Sequence, residues 1–237
     1  MALIHNTNSI VTQNLVLCLD AANTKSYSGS GATTWSDLSG NGNTGTLVNT
    51  PTYNAANGGS LVFNGSSQYV NIGTQSLIGS GTAPFAAEIW FYNTKNFTAG
   101  QYTTLVTLKQ DSEFFINIYP SGATLYAYPT FRGQTQWATP VTQSDYVNKW
   151  ICMALVYNGG NKSTASSYIT YANGVQLSTG SVNFGAAGGS TNSNSIGSDG
   201  ASPNLQGNIS AYKVYNRALS TAEITQNFNA LRSRYGI

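Results

Sequence analysis

The sequence predicts an all-β fold, two antiparallel sheets packed as a sandwich and closed by one C-terminal helix. Three observations predict it. Short β-branched and aromatic runs recur along nearly the whole chain, Asn-Gly pairs punctuate them, and a single helical signature stands near the end. The 237 residues suit one domain. Their polarity comes from Asn, Ser, Thr and Gln, since only 8% are charged, against about a quarter in an ordinary globular chain. Low charge with 12% aromatics is the opposite of a disordered composition. A net charge of +2 supplies no electrostatic case for nucleic acid or an acidic membrane surface as partner.

In chain order, strands are expected over residues 16–20, 44–47, 60–63, 69–71, 86–92, 103–109, 114–119, 124–128, 150–157, 167–172, 175–178, 194–196 and 207–215. Asn41-Gly42, Asn57-Gly58, Asn64-Gly65, Asn158-Gly159 and Asn173-Gly174 supply turn chemistry, because both residue types tolerate positive φ. Around Asn173-Gly174, Tyr168 to Ala172 and Val175 to Leu177 read as a tight hairpin. The helix is expected at about 220–232. Ser220-Thr221-Ala222-Glu223 has capping-box spacing, and Ile224, Phe228 and Leu231 follow on one face, which should pack on its own subunit. Residues 1–14 read as an N-terminal extension or arm and 15–237 as a single domain.

The start, Met1 to Ser9, has neither a basic nor an apolar region, so no secretory signal is expected. No apolar run approaches the roughly eighteen residues of a membrane span. Cys18 and Cys152 both lie in apolar runs and read as buried free thiols. With His5 the single histidine, no zinc set can be assembled.

Several motifs stand in a characteristic order. Leu15-Val16-Leu17-Cys18-Leu19-Asp20-Ala21 is followed by Trp35-Ser36-Asp37-Leu38-Ser39-Gly40-Asn41-Gly42, then by Leu61-Val62-Phe63-Asn64-Gly65. Ala87-Glu88-Ile89-Trp90-Phe91, Lys149-Trp150-Ile151-Cys152 and Tyr171-Ala172-Asn173-Gly174 come next, and Val214-Tyr215-Asn216-Arg217-Ala218-Leu219-Ser220 closes the series. This succession, over roughly residues 15–231, resembles the laminin-G-like branch of the concanavalin A-like lectin/glucanase superfamily. The resemblance implies a jelly-roll topology for the sandwich. The sequence, including its ending from Tyr215 to Leu231, is similar to stand-alone domains in structural proteins of tailed bacteriophages. The expectation that follows is a non-enzymatic virion protein, a capsid decoration or tail-associated component made in the host cytoplasm. Its partners would be other virion proteins and copies of itself, with cell-surface glycans as a further ligand class and no membrane insertion. A carbohydrate-binding module or adhesin outside a virion is the alternative.

Glucanases of that superfamily carry paired carboxylates on one strand, at the short separation that retaining hydrolysis needs. This sequence offers Glu88 alone and the pair Asp111 and Glu113, which reads as a solvated hairpin tip. No catalytic residue is assigned. Calcium would want six to eight oxygens, yet Asp20, Asp37 and Asp199 stand apart from other acids, and Asn208 occupies a position where relatives often place an acid. No cofactor or metal ligand is therefore assigned, calcium being the one ion that the resemblance brings into consideration. Tyr126, Tyr128, Phe131, Arg132 and Trp137 form the candidate contact cluster. If Leu125 and Ala127 face the core, the two tyrosines share the outer face. The cluster suits rim packing, a protein interface or a glycan platform. Residues 2–12 and 119–137 are the expected oligomer or capsid contacts. Trp90 and Trp150 are expected in the sandwich core, and Trp35 is left open.

Overall fold

Residues of period-two strands pair into two eight-stranded sheets. The computed structural model describes residues 9–79, 83–96, 103–108, 114–121, 124–131, 139–159, 168–180, 193–198 and 204–237. At 114–115, 117–121, 124–131, 139–143 and 180 only the backbone is described. The strands are β1 (Leu15–Asp20), β2 (Thr34–Trp35), β3 (Gly45–Val48), β4 (Thr52–Asn54), β5 (Ser60–Asn64), β6 (Tyr69–Gly73), β7 (Phe85–Asn93) and β8 (Thr103–Leu108). They continue with β9 (Phe114–Ser121), β10 (Thr124–Phe131), β11 (Thr139–Thr142), β12 (Trp150–Tyr157), β13 (Tyr168–Ala172), β14 (Val175–Gly180), β15 (Asn194–Ile196) and β16 (Gln206–Tyr215). A short helix α1 (Gln143–Tyr146) precedes β12, and α2 (Thr221–Leu231) follows β16. The strands unanticipated from sequence, β2, β4 and β11, have two to four residues, too few to show alternation.

The first sheet runs β14-β13-β12-β7-β16-β5-β4, with β1 also on β16, and the second runs β11-β10-β9-β8-β15-β6-β3-β2. Leu17, Phe63, Ile89, Phe91, Met153, Leu155 and Val214 of the first sheet pack with Trp35, Val70, Ile72, Val106 and Ile196 of the second in one continuous core. Trp35 is thereby placed in that core. The expected hairpin is present, with Asn173 at φ 51° and Gly174 at φ 77°, as a two-residue turn with both positions left-handed requires.

Strand β16 organises the first sheet. Residues 206–209 pair with β5 and 211–215 with β1, and the register against β7 shifts between Ile209 and Ala211. Ser210, at this bulge, donates to the Gly59 carbonyl (2.7 Å) and accepts from the Tyr235 hydroxyl (2.8 Å). Gly207 is needed nearby, because a Cβ there would lie 2.0 Å from the Tyr92 carbonyl oxygen.

The outer face of this sheet is buried too. Helix α2, the 3₁₀ turn Arg232–Tyr235 and the segment 9–14 cover it. The capping box forms as the sequence implies, and Arg217 grips the Glu223 carboxylate through two bonds (2.9 and 2.6 Å). That hydrogen bonding holds the Glu223 carboxyl down at about 2. Ile224 and Phe228 are buried and Leu231 packs beside them, so the helix lies on its own subunit. Cys18 and Cys152 are free and buried, and burial pushes the Cys18 thiol up to about 11. Trp90 differs from expectation: it is buried under the chain terminus, stacked between Tyr235 (4.2 Å) and Phe228 (5.6 Å), not between the sheets.

Of the extension set apart on sequence, residues 1–8 lie outside the described residues. Residues 9–14 are laced to the terminus. Val11 N–H donates to Asn227 Oδ1 (2.7 Å), Val11 C=O accepts from the Tyr215 hydroxyl (3.0 Å), and Asn227 Nδ2 donates to that same hydroxyl (3.0 Å). Gln226 holds the Ser9 carbonyl (2.9 Å) and Arg217 the Gln13 carbonyl (3.3 Å). Val11 is buried with Tyr215, Leu219 and Ile224. Residues 9–12 thus pack on the body of the fold, whereas the sequence reading set them in an extension or arm. The only apolar signal for this is Ile10-Val11 amid polar residues.

Under this cover, Lys213 and Glu88 sit directly opposite each other on β16 and β7 and form an ion pair with 2% and 1% side-chain exposure. Burial alone would push the Lys213 ammonium down. The adjacent Glu88 carboxylate outweighs that and holds it above the usual lysine value. Glu88 Oε2 has no partner among the described residues. No helix among the described residues is long and apolar enough to cross a membrane.

Two stability predictions follow from this layer. Val11→Asp places an unpaired carboxylate in the Tyr215–Ile224 cluster and should cost on the order of 3 kcal/mol in urea unfolding; an unchanged midpoint would refute the packing. Lys213→Met alone strands the Glu88 carboxylate and should cost roughly 3–5 kcal/mol, whereas Glu88→Leu with Lys213→Met should recover most of the loss. Additive single effects in that double-mutant cycle would contradict the pairing.

Candidate functional site

Where the cover over the first sheet stops, a cleft of about 570 Å³ opens. Tyr92 comes from the end of β7, Asp145, Tyr146, Asn148 and Lys149 from α1 and its exit, and Trp150 and Ile151 from the start of β12. The β13–β14 hairpin adds Ala172, Asn173 and Leu177, and the chain terminus adds Tyr235 and Ile237.

Trp150 is the centre of this arrangement. Its ring lies 4.7 Å from that of Tyr235 and 5.6 Å from that of Tyr92. Its indole N–H donates to Asn57 Oδ1 (3.2 Å), which fixes the ring plane. Asn57 sits in left-handed geometry at φ 56° and donates through Nδ2 to the Arg234 carbonyl (3.3 Å). The Arg234 guanidinium forms a two-pronged pair with Asp20 (2.7 and 3.1 Å). Tyr235 is held by Ser210 and by the ring of Trp90, and burial pushes its hydroxyl up to about 12. The aromatic wall is therefore held rigid by the protein's own contacts.

The polar lining is mixed in sign. Asp145 and Lys149 stand 4.0 Å apart, four residues apart in sequence, each more than half exposed. Asn173 spends its Oδ1 on the Cys152 N–H (2.9 Å) and so braces the hairpin wall. Tyr146 is buried, and its hydroxyl has no hydrogen-bond partner among the described residues. Burial pushes that hydroxyl above the usual phenol range, so it stays a neutral donor. A sign-balanced Asp145–Lys149 pair and the Asn148 amide beside a rigid indole face suit an uncharged, hydroxyl-bearing ring better than an ion.

Of the contact residues singled out from sequence, three are described, by their backbone alone. Tyr126, Tyr128 and Phe131 fall on β10 of the second sheet, where Tyr126 pairs with Tyr119 and Pro140, Tyr128 with Asn117 and Phe131 with Phe114. Their side chains, and Arg132 and Trp137 entirely, lie outside the described residues, as do His5, Asp111, Glu113 and Asp199. Trp150 was expected in the sandwich core; instead it is half-buried and lines the cleft. The available signal was its place directly after polar Asn148-Lys149, at a strand end where a side chain can be half covered. Asn57, read as a turn residue, also turns out to orient the indole.

The other acids have structural duties. Asp37 accepts from the N–H groups of Cys18 (2.9 Å), Ser39 (2.8 Å) and Asn43 (3.0 Å) and from the Ser39 hydroxyl (2.7 Å), which folds its loop onto β1. Asp20 accepts from Arg234 and from the Ala22 N–H (3.0 Å). Asn208, buried, donates to Ser60 (3.0 Å). Among the described residues no three acids, histidines or cysteines stand together as metal ligands would.

Comparison with known proteins places the fold. No curated protein sequence matches the chain. Among solved structures it is similar to domain 4 of AbnA, a GH43 extracellular arabinanase from Geobacillus stearothermophilus, determined with arabinotriose. Identity is 19%, with 90% of this chain and 98% of that one covered and a TM-score of 0.63. It is similar to the binding domain of Paraclostridial Mosquitocidal Protein 1 (19% identity, 92% and 52% covered, TM-score 0.64). It is also similar to Trypanosoma rangeli sialidase in complex with sialic acid (15% identity, 95% and 34% covered, TM-score 0.65). The chain thus spans nearly all of the arabinanase domain but about half of the toxin domain and a third of the sialidase. At these identities the likeness is one of fold. The family model described as the concanavalin A-like lectin/glucanases superfamily matches residues 64–225, and the chain belongs to that superfamily.

Proposed function

We propose that the chain is a non-enzymatic recognition domain that holds a glycan in the Trp150 cleft. The carrying observation is the indole itself: half-buried, pinned by Asn57 and flanked by Tyr92 and Tyr235, it offers a fixed flat face for the apolar side of a sugar ring. Asn148, Lys149 and Asp145 lie around it for hydroxyl groups. Binding, not hydrolysis, fits the lining, because canonical glycoside hydrolysis takes two carboxyl groups and Asp145 is the one acidic residue among the lining residues. The arabinanase domain determined with arabinotriose and the sialidase with sialic acid supply a neutral and an acidic probe.

Calorimetric titration with arabinotriose and with sialic acid tests this reading. Binding of the neutral sugar should be stronger, and Trp150→Ala should weaken it about tenfold or more while the unfolding midpoint moves little. Equal affinity in wild type and Trp150→Ala would contradict it.

The proposed setting is the exterior of a tailed-phage particle, as a decoration or tail-associated protein. Its support is the sequence resemblance together with the sparse charge, which leaves specificity to neutral groups repeated over many copies. Mass spectrometry of purified particles should find the protein in them; its absence would remove this setting.

A further inference from the structure

A second cavity lies at the edge of the other sheet. It measures about 260 Å³ and opens between the loop 30–33 and the segment 50–53. Leu47 and Pro51, both buried, contribute its apolar lining together with Tyr53, whose ring stacks on Tyr27 at 5.2 Å. Ser30, Thr50 and Thr52 bring exposed hydroxyl-bearing residues to it, and among the described residues no charged one lines it.

One wall is built in an unfavourable conformation. Asn49 and Thr50 are both left-handed, at φ 57° and 52°. Asparagine tolerates that region, but a β-branched threonine is strained there, and glycine would adopt it freely. The surroundings enforce it. Gln68 Nε2 donates to the carbonyls of Asn49 (3.0 Å) and Thr50 (2.9 Å), Gln68 Oε1 accepts from the Asn64 N–H (2.9 Å), and Asn49 Nδ2 donates to the Ser67 carbonyl (2.8 Å). One of these bonds holds Thr50 directly, and the other three brace Asn49 and Gln68 beside it. Strain retained in this way, beside a cavity, points from the outlier to a use. Thr50 brings what glycine cannot, a hydroxyl-bearing side chain on a residue that lines the cavity.

We propose that this cavity is a second ligand site, which takes a single neutral, polyhydroxylated ring with its apolar side on Tyr53 and Leu47 and its hydroxyls towards Ser30, Thr50 and Thr52. The inference rests on the domain being a glycan-recognition unit but not on the Trp150 cleft being occupied. Two sites on one rigid domain would let an oligosaccharide or a multivalent glycan surface bind more tightly than either site alone.

Amide-resolved NMR titration with L-arabinose and D-galactose, and with D-glucuronate as a charged comparison, tests it. The neutral sugars should shift the amides of residues 30–33 and 50, 52 and 53 in wild type and equally in Trp150→Ala, and D-glucuronate should shift them less. Ala32→Trp, which fills the cavity, should abolish those shifts and leave the response around Trp150 intact. Thr50→Gly should raise the melting temperature, by relieving the backbone, while weakening binding at this cavity about tenfold. No response at 30–33 and 50–53 while the Trp150 indole responds would overturn the second site alone. Silence at both places would overturn it together with the recognition function. A Thr50→Gly protein that binds as wild type would refute the role given to the strained threonine.

Discussion

A β-sheet that is apolar on both faces cannot rest in a two-layer sandwich. Strands β7, β12 and β16 are buried at nearly every position, so the first sheet must be covered outside as well as inside. The chain meets this demand with its own ends. Helix α2, the turn after it and residues 9–14 form a third layer, and the bonds from Asn227 and Tyr215 to Val11 tie the two termini together. Other features depend on that layer. The Glu88–Lys213 pair is deprived of water by it, Trp90 finds its stacking partners in it, and the cleft is the place where it ends.

The site inherits its rigidity from the same source. Tyr235 belongs at once to the cover, through Trp90 and Ser210, and to the cleft wall, through Trp150. Arg234, anchored on Asp20, presents the carbonyl that holds Asn57, and Asn57 in turn holds the indole. A ligand resting on Trp150 would touch a surface whose geometry was set by residues more than two hundred positions apart in sequence, Asp20 and Arg234. Such a surface spends little conformational entropy on binding. It is a suitable construction for weak, repeated contacts by a protein with little charge to steer it.

Much of this architecture can be read from residues alone. The Asn173-Gly174 hairpin, the Ser220–Glu223 capping box and the packing of Ile224, Phe228 and Leu231 are local patterns, and local patterns carry their own signal. The family resemblance likewise survives in the order of short motifs. The third layer was harder to see, although the unbroken apolar runs Ala86 to Phe91 and Ile151 to Val156 are the mark of strands covered on both sides. Its lid includes a buried asparagine, Asn227, which no hydrophobic pattern predicts, and a strap marked by one buried valine. The cleft was harder still. Trp150 and Tyr92 look like core residues of apolar strands, and only the tertiary arrangement shows that their strand ends project past the cover. The strain at Thr50 depends on Gln68, eighteen residues away, and leaves no mark in either segment by itself.

Native-state hydrogen exchange measures the central claim most directly, that the terminal layer is part of the cooperative fold and not an appendage. If both faces of the first sheet must be covered, the amides of α2 between Ile224 and Leu231 should exchange with the same opening free energy as those of β16, and both should fall together as denaturant is added. Exchange of α2 through a local opening of much lower free energy, with β16 still protected, would contradict the account.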